Sequence, residues 1–177
     1  YDALKKGIVG TAFKPGTAGA LRDIGVYTIY PMVALFGKPQ SVKGQLQTFQ
    51  TAEGVTDVHG SAYLRYEGMD ATLVWSKICD SFQSTEISGE KGNLLVDEIH
   101  IARKTEFVPH SAPTSGQGAK PGRIVLSEGL PCNEYYYEFK EFADLIQSGR
   151  TESEINSLDT SLTVLEIMDE ILADLQG

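Results

Sequence analysis

The sequence predicts an α+β fold: an open, predominantly antiparallel β-sheet with helices packed on one face. Three observations carry this. Residues 40–126 are a succession of short alternating segments joined by brief turns, which is the pattern of antiparallel pairing. The stretches 18–36, 133–149 and 157–175 instead read as helices, the last two repeating apolar residues every three to four positions. Strands grouped together and helices grouped at the ends separate α+β from alternating α/β.

Residues 1–17 read as a loop, punctuated by Gly7, Gly10, Pro15 and Gly16. Residues 18–36 read as a helix that is apolar almost all round, through Leu21, Ile24, Val26, Ile29, Met32, Val33, Leu35 and Phe36. Such a helix is expected to be buried on several sides. Gly37 and Pro39 stop it. Pro31 cannot donate to the Tyr27 carbonyl, which predicts a kink there or a break into two shorter helices.

Strands are expected over 41–51, 57–67, 69–78, 81–88 and 93–102. In the third, Ala71, Leu73, Trp75 and Lys77 alternate against Thr72, Val74 and Ser76. Gly89-Glu90-Lys91-Gly92 is the turn between the fourth and fifth. Residues 109–122, rich in Pro and Gly, read as a loop excursion, and 123–127 as a last strand. Asn133 is a cap for a helix carrying Tyr135, Phe139, Phe142 and Ile146 up to Gly149. Ser157 caps another, with Leu158, Leu162, Leu165, Met168, Leu172 and Leu175 in one stripe before Gly177. Both helices are expected to pack on the sheet.

A chain of 177 residues can bury a real core, and residues 1–177 read as a single domain without internal repeats. The net charge of −9 argues against nucleic acid or an anionic membrane surface as partner, since both require clustered Lys and Arg. The two cysteines, Cys79 and Cys132, form no CxxC, which points to a reducing, cytoplasmic setting. His59, His100 and His110 lack metal-ligand spacing and read as ordinary strand or loop residues, so no metal is expected. No apolar run reaches the ~18 residues of a membrane-spanning helix. The chain opens at Tyr1-Asp2-Ala3-Leu4 without Met and reads as a piece of a longer protein.

The chemistry concentrates in the first helix, where Asp23 and Tyr27 stand four residues apart on one face. A carboxylate there can accept hydrogen bonds from substrate hydroxyls. A phenol can exchange a proton, but with a free pKa of ~10 it needs a cationic neighbour to act near neutrality. Arg22 points away round the helix and does not supply it. The plainer alternative is that Tyr27 is a core aromatic and Asp23 a capping residue or the ion-pair partner of Arg22. Lys14, in the preceding loop, is either a cleft residue or an exposed loop lysine. Trp75 reads as a sheet-face residue, Tyr135-Tyr136-Tyr137 as a packed helix face, and the acidic side of the last helix as solvated.

The segment Ala18-Gly19-Ala20-Leu21-Arg22-Asp23-Ile24-Gly25-Val26-Tyr27, followed by Ala34-Leu35-Phe36-Gly37-Lys38-Pro39, resembles the start of the substrate domain in the Gfo/Idh/MocA oxidoreductases. That family includes glucose–fructose oxidoreductase, inositol dehydrogenase and dihydrodiol dehydrogenase. The resemblance continues at Gly89-Glu90-Lys91-Gly92, from Tyr136 to Gly149, and over Ser161–Asp169, so that it spans nearly the whole chain.

The resemblance implies a C-terminal domain of the dihydrodipicolinate-reductase-like or glyceraldehyde-3-phosphate-dehydrogenase-like type. It implies a parent enzyme that transfers hydride between NAD or NADP and a hydroxyl carbon of a sugar, polyol or related compound. It assigns substrate binding and homo-oligomerisation through the sheet face to this domain. Asp23 would orient the substrate hydroxyls and Tyr27 would be the acid/base, with the family's Lys supplied by a Glu-Lys-Pro motif in an N-terminal Rossmann domain. Neither Glu-Lys-Pro nor GxGxxG occurs in these residues, so this stretch by itself is expected to bind no dinucleotide tightly and to be inactive. A non-catalytic carbohydrate-binding or assembly module of the same fold is the alternative.

Overall fold

The computed structural model describes residues 2–110, 122–129 and 133–173. Cys132, most of the 109–122 excursion, Leu175 and Gly177 lie outside the described residues. In chain order the elements are α1 (Asp2–Lys5), α2 (Val26–Phe36), β1 (Ser41–Thr51), β2 (Gly54–Arg65), β3 (Asp70–Ser76), β4 (Thr85–Gly89), β5 (Gly92–Asp97), β6 (Lys104–Pro109), β7 (Ile124–Glu128), α3 (Tyr136–Ser148) and α4 (Leu158–Ala173). The class is α+β, and every strand pairing is antiparallel. The strands form two ladders, β1-β2-β3 and β4-β5-β6-β7. By its internal contacts the chain divides into two compact units, Tyr1–Asp80 with Arg150–Gly177, and Ser81–Gly149.

In the first unit the alternation of the strands becomes a core. β2 turns Ala62 and Leu64 inward and β3 turns Leu73 and Trp75 inward, where they meet Leu21, Ile29 and Val33 from the helical segment. Two glycines make room for the Trp75 indole. A Cβ on Gly60 would lie 2.6 Å from the ring, and one on Gly25 would lie 3.2 Å from it. The ring therefore fills the space between helix backbone and sheet backbone, a buried sheet-face role for Trp75.

The helix read over 18–36 is buried along one stripe, flanked by the partly buried Ile24, Val26, Tyr30 and Met32, and its last residues are exposed. Leu21, Gly25, Ile29 and Val33 are buried, whereas Leu35 and Phe36 are exposed. It begins with a π-helical turn over Leu21–Gly25, and α2 then runs through Pro31 without a break. Two further differences concern the N-terminal and C-terminal segments. Residues 1–17 are not all loop: α1 is a single turn pinned by the buried Leu4, too short to show a period. In α4 the buried stripe is Val164, Ile167, Met168 and Ile171, while Leu158, Leu162 and Leu165 are exposed. Leucines surround this helix, and steric fit selects the face: Ile171 lies where a Cβ on Gly44 of β1 would approach to 2.5 Å. Ser157 caps α4 as expected, accepting from the Thr160 N–H at 3.1 Å.

In the second unit, Glu90-Lys91 is the two-residue tip of the β4–β5 hairpin, closed by the Gly89–Gly92 pair. The strand expected over 93–102 ends at Asp97, because Glu98 and Ala102 adopt positive φ and turn the chain; His100 is a turn residue. β6 was not foreseen from the sequence and raises the strand count to seven among the described residues. Asn133 does not cap α3 directly; its Oδ1 accepts the Tyr135 N–H at 2.9 Å, and Tyr135 takes the N-cap position. Gly149 ends α3 in the left-handed conformation. α3 buries none of its side chains, so the packed face expected from Tyr135, Tyr136, Tyr137, Phe139, Phe142 and Ile146 is exposed. Among the described residues no helix is long and apolar enough to cross a membrane.

Candidate active site

The site begins with a buried carboxylate that the sequence alone does not single out. Asp57 of β2 is buried, and its Oδ2 accepts the Leu21 N–H at 2.6 Å at the start of the helical segment. The first N–H groups of a helix have no partner within it, and an Asp is a strong acceptor for them. Burial pushes the Asp57 carboxyl above the usual aspartate range, and the Leu21 and Ala20 N–H groups and the Lys77 ammonium oppose that push. Gly19 permits the approach: with φ at +129°, it would place a Cβ 1.9 Å from Asp57 Oδ1. The Gly in Ala18-Gly19-Ala20 is thus a requirement of carboxylate and backbone together.

The π-helical turn follows directly, closed by the Val26 N–H donating to the Leu21 carbonyl. Such turns hold one extra residue and push side chains out of α-helical register. Arg22 and Asp23 are carried on this turn and diverge. Arg22 donates to the Gly16 carbonyl at 2.7 Å and pairs with Asp169 of α4 at 3.5 Å. Asp23 is therefore not the partner of Arg22. Its Oδ2 is 2.5 Å from the Lys77 Nζ. Tyr27 lies in the first turn of α2, and both Asp23 and Tyr27 are about half exposed. The two polar groups are presented to solvent on the same helical segment whose opposite stripe is core.

Lys77 is a second residue that the sequence alone does not single out. It directly follows β3, its side chain is only 7 % exposed, and its ammonium also donates to the Ala12 carbonyl at 2.7 Å. The same ammonium lies 4.8 Å from the centre of the Phe13 ring. A signal was available: Lys77 shares the strand phase of Leu73 and Trp75, which is the core-facing phase. A lysine at such a position must have a partner. Lys14, by contrast, is exposed on the loop after Phe13.

The arrangement offers one carboxylate to accept hydrogen bonds and one phenol to donate or accept a proton, within one turn of each other. Among the described residues no cluster of His, Cys, Asp and Glu could hold a metal ion.

Comparison with known proteins identifies the family of the chain. Residues 11–95 match the GFO/IDH/MocA C-terminal domain model. The chain is 38% identical over 171 residues to scyllo-inositol 2-dehydrogenase (NADP(+)) IolU of Bacillus subtilis (strain 168), covering 96% of this chain and 48% of that protein. The chain thus spans about half the length of the curated relatives it matches. Among solved structures, an aldose-aldose oxidoreductase from Caulobacter crescentus complexed with glycerol superposes with a TM-score of 0.71 at 18% identity, covering 93% of this chain and 48% of that one. KijD10, a 3-ketoreductase from Actinomadura kijaniata, superposes with a TM-score of 0.68 at 20% identity, covering 97% and 55%. The motif around Asp23 and Tyr27, the matched domain and the shared fold lead to one conclusion: the chain belongs to the GFO/IDH/MocA oxidoreductase family and carries its C-terminal domain.

Proposed function

We propose that this chain is the substrate-binding and oligomerisation domain of an NAD(P)-dependent oxidoreductase that acts on the CH–OH group of a sugar, polyol or related compound. The observation that carries the reading is the half-exposed Asp23–Tyr27 pair on an otherwise core-forming helical segment. The 38% identity to an NADP-dependent inositol dehydrogenase supports the substrate class and the cofactor. In this reading Asp23 accepts hydrogen bonds from substrate hydroxyls and orients the ring. Tyr27 takes the hydroxyl proton in oxidation and returns it in reduction, with a cationic partner from outside these residues lowering its pKa. The hydride acceptor, NAD or NADP, would be held elsewhere in the protein.

Oligomerisation is supported by the second unit. Ile87, Leu94, Phe107 and Ile124 are direct cross-strand neighbours in one apolar row over four strands. Such a row on an open sheet face favours burial against a second copy.

The test is Tyr27→Phe in the whole protein, with NADP+ and a panel of scyllo-inositol, myo-inositol and glucose. Loss of a general acid/base is expected to lower kcat by about 100-fold or more, with little change in cofactor affinity. Unchanged turnover removes Tyr27 from the reaction. Calorimetry on the 177 residues alone is expected to show no micromolar NADP binding.

A further inference from the structure

We propose that Lys77 is a positioning residue for the substrate site: its ammonium holds the Asp23 carboxylate in the orientation in which that carboxylate receives substrate hydroxyls. The inference rests on the oxidoreductase reading above and adds a residue that the motif of the first helix does not contain.

Four contacts define the ammonium's place and the strand end that carries it. Nζ meets Asp23 Oδ2 at 2.5 Å and the Ala12 carbonyl at 2.7 Å, and it lies against the Phe13 ring. The backbone is fixed as well, because the Lys77 N–H donates to the Val58 carbonyl at 2.9 Å, next to Asp57. The side chain thus runs from the sheet to the π-helical turn and ends at Asp23. Asp23 itself is half exposed and lies in a turn of non-standard register. A half-exposed carboxylate without a partner samples several rotamers, and ordering them on binding costs affinity. An ammonium that is itself nearly buried and held from two other sides removes that freedom before the ligand arrives. Charge complementarity fits the same role: Lys77 lies near two carboxylates, Asp57 beneath the helix start and Asp23 at the surface.

A merely structural Lys77 would compensate Asp57 and leave substrate affinity to Asp23 alone. The two roles separate in a double-mutant cycle on the whole protein, assayed with NADP+ and the same panel of scyllo-inositol, myo-inositol and glucose. Lys77→Met keeps the stem against Phe13 and removes the charge. It is expected to raise the polyol or sugar KM about tenfold while leaving the NADP+ KM within about twofold. Lys77→Arg is expected to restore the KM to within about threefold of wild type. In an Asp23→Asn background, Lys77→Met is expected to change the KM by less than about twofold, because the residue through which it acts has lost its charge. Equal KM in wild type and Lys77→Met, or the same loss in both backgrounds, overturns the inference. Should Lys77→Met fail to fold by circular dichroism, Lys77→Gln, which keeps a donor without the charge, carries the same comparison. Absence of turnover by the wild-type protein on every compound of the panel overturns the oxidoreductase reading and this inference with it; turnover with an unaffected Lys77→Met overturns the inference alone.

Discussion

α2 with its preceding π-helical turn and α3 carry comparable apolar patterns and meet different fates. The first buries Leu21, Gly25, Ile29 and Val33 at a strict four-residue spacing against β2 and β3. The second presents Tyr135, Phe139, Phe142 and Ile146 at helical spacing and buries none of them. A period in the sequence states that a helix has a face. It does not state what the face meets. The contrast extends to charge. Around the first helix the polar groups are drawn inward, with Asp57 buried beneath its start and Lys77 nearly buried beside Asp23. Around α3 the ion pairs, such as Lys140–Asp144, stay at the surface, where each contributes little.

The contrast can be broken by deleting side chains on either helix. Ile29→Ala removes a fully buried side chain and is expected to destabilise the chain by about 3 kcal/mol in urea unfolding followed at 222 nm. A loss under about 1 kcal/mol would show that the core closes over the gap or is loosely packed there. Next in size is Asp57→Ala, which leaves the buried Leu21 N–H without its acceptor and is expected to cost about 2 kcal/mol at pH 7. Asp57→Asn keeps an oxygen acceptor and should lose clearly less.

Asp57 also sharpens the electrostatic half of the contrast. Its carboxyl is raised in the folded state above the ordinary aspartate value of about 3.9. Between the unfolded and folded values the folded chain binds more protons. The Asp57 contribution is therefore most favourable below that window and is lost as pH rises through the folded value. Relative to Asp57→Asn, wild-type stability should fall as pH increases above about 4; a difference that rises with pH would reverse the assignment. The smallest effect belongs to α3. Phe142→Ala is expected to change stability by less than about 0.5 kcal/mol, since the ring is exposed. A cost of several kcal/mol would show that the chain in solution covers that face.

Part of the candidate site was legible in the sequence, and for identifiable reasons. Asp23 and Tyr27 stood out because polar groups are rare on so apolar a helix, and the family pattern covers the same ten residues. Asp57 and Lys77 did not stand out, since each looks like an ordinary strand residue in a chain with 24 acidic and 15 basic side chains. Their roles depend on contacts across 36 residues to Leu21 in one case and across 54 (77 minus 23) to Asp23 in the other. Local periodicity carries no record of such pairings. Lys77 alone left a trace, in its core-facing strand phase.

By itself the sequence determined the class and several of the local elements. Alternation period, the Gly89–Gly92 hairpin, the Ser157 cap and the Gly149 stop are all set by residues within one turn of each other. Only the tertiary structure decided the division of the strands into two ladders, the face of α4 that is buried, and the cation that meets Asp23. Those depend on steric fit and charge pairing between segments distant in the chain, such as Gly44 beneath Ile171 and Lys77 beneath the π-helical turn, and many sequences with the same local pattern would settle them differently.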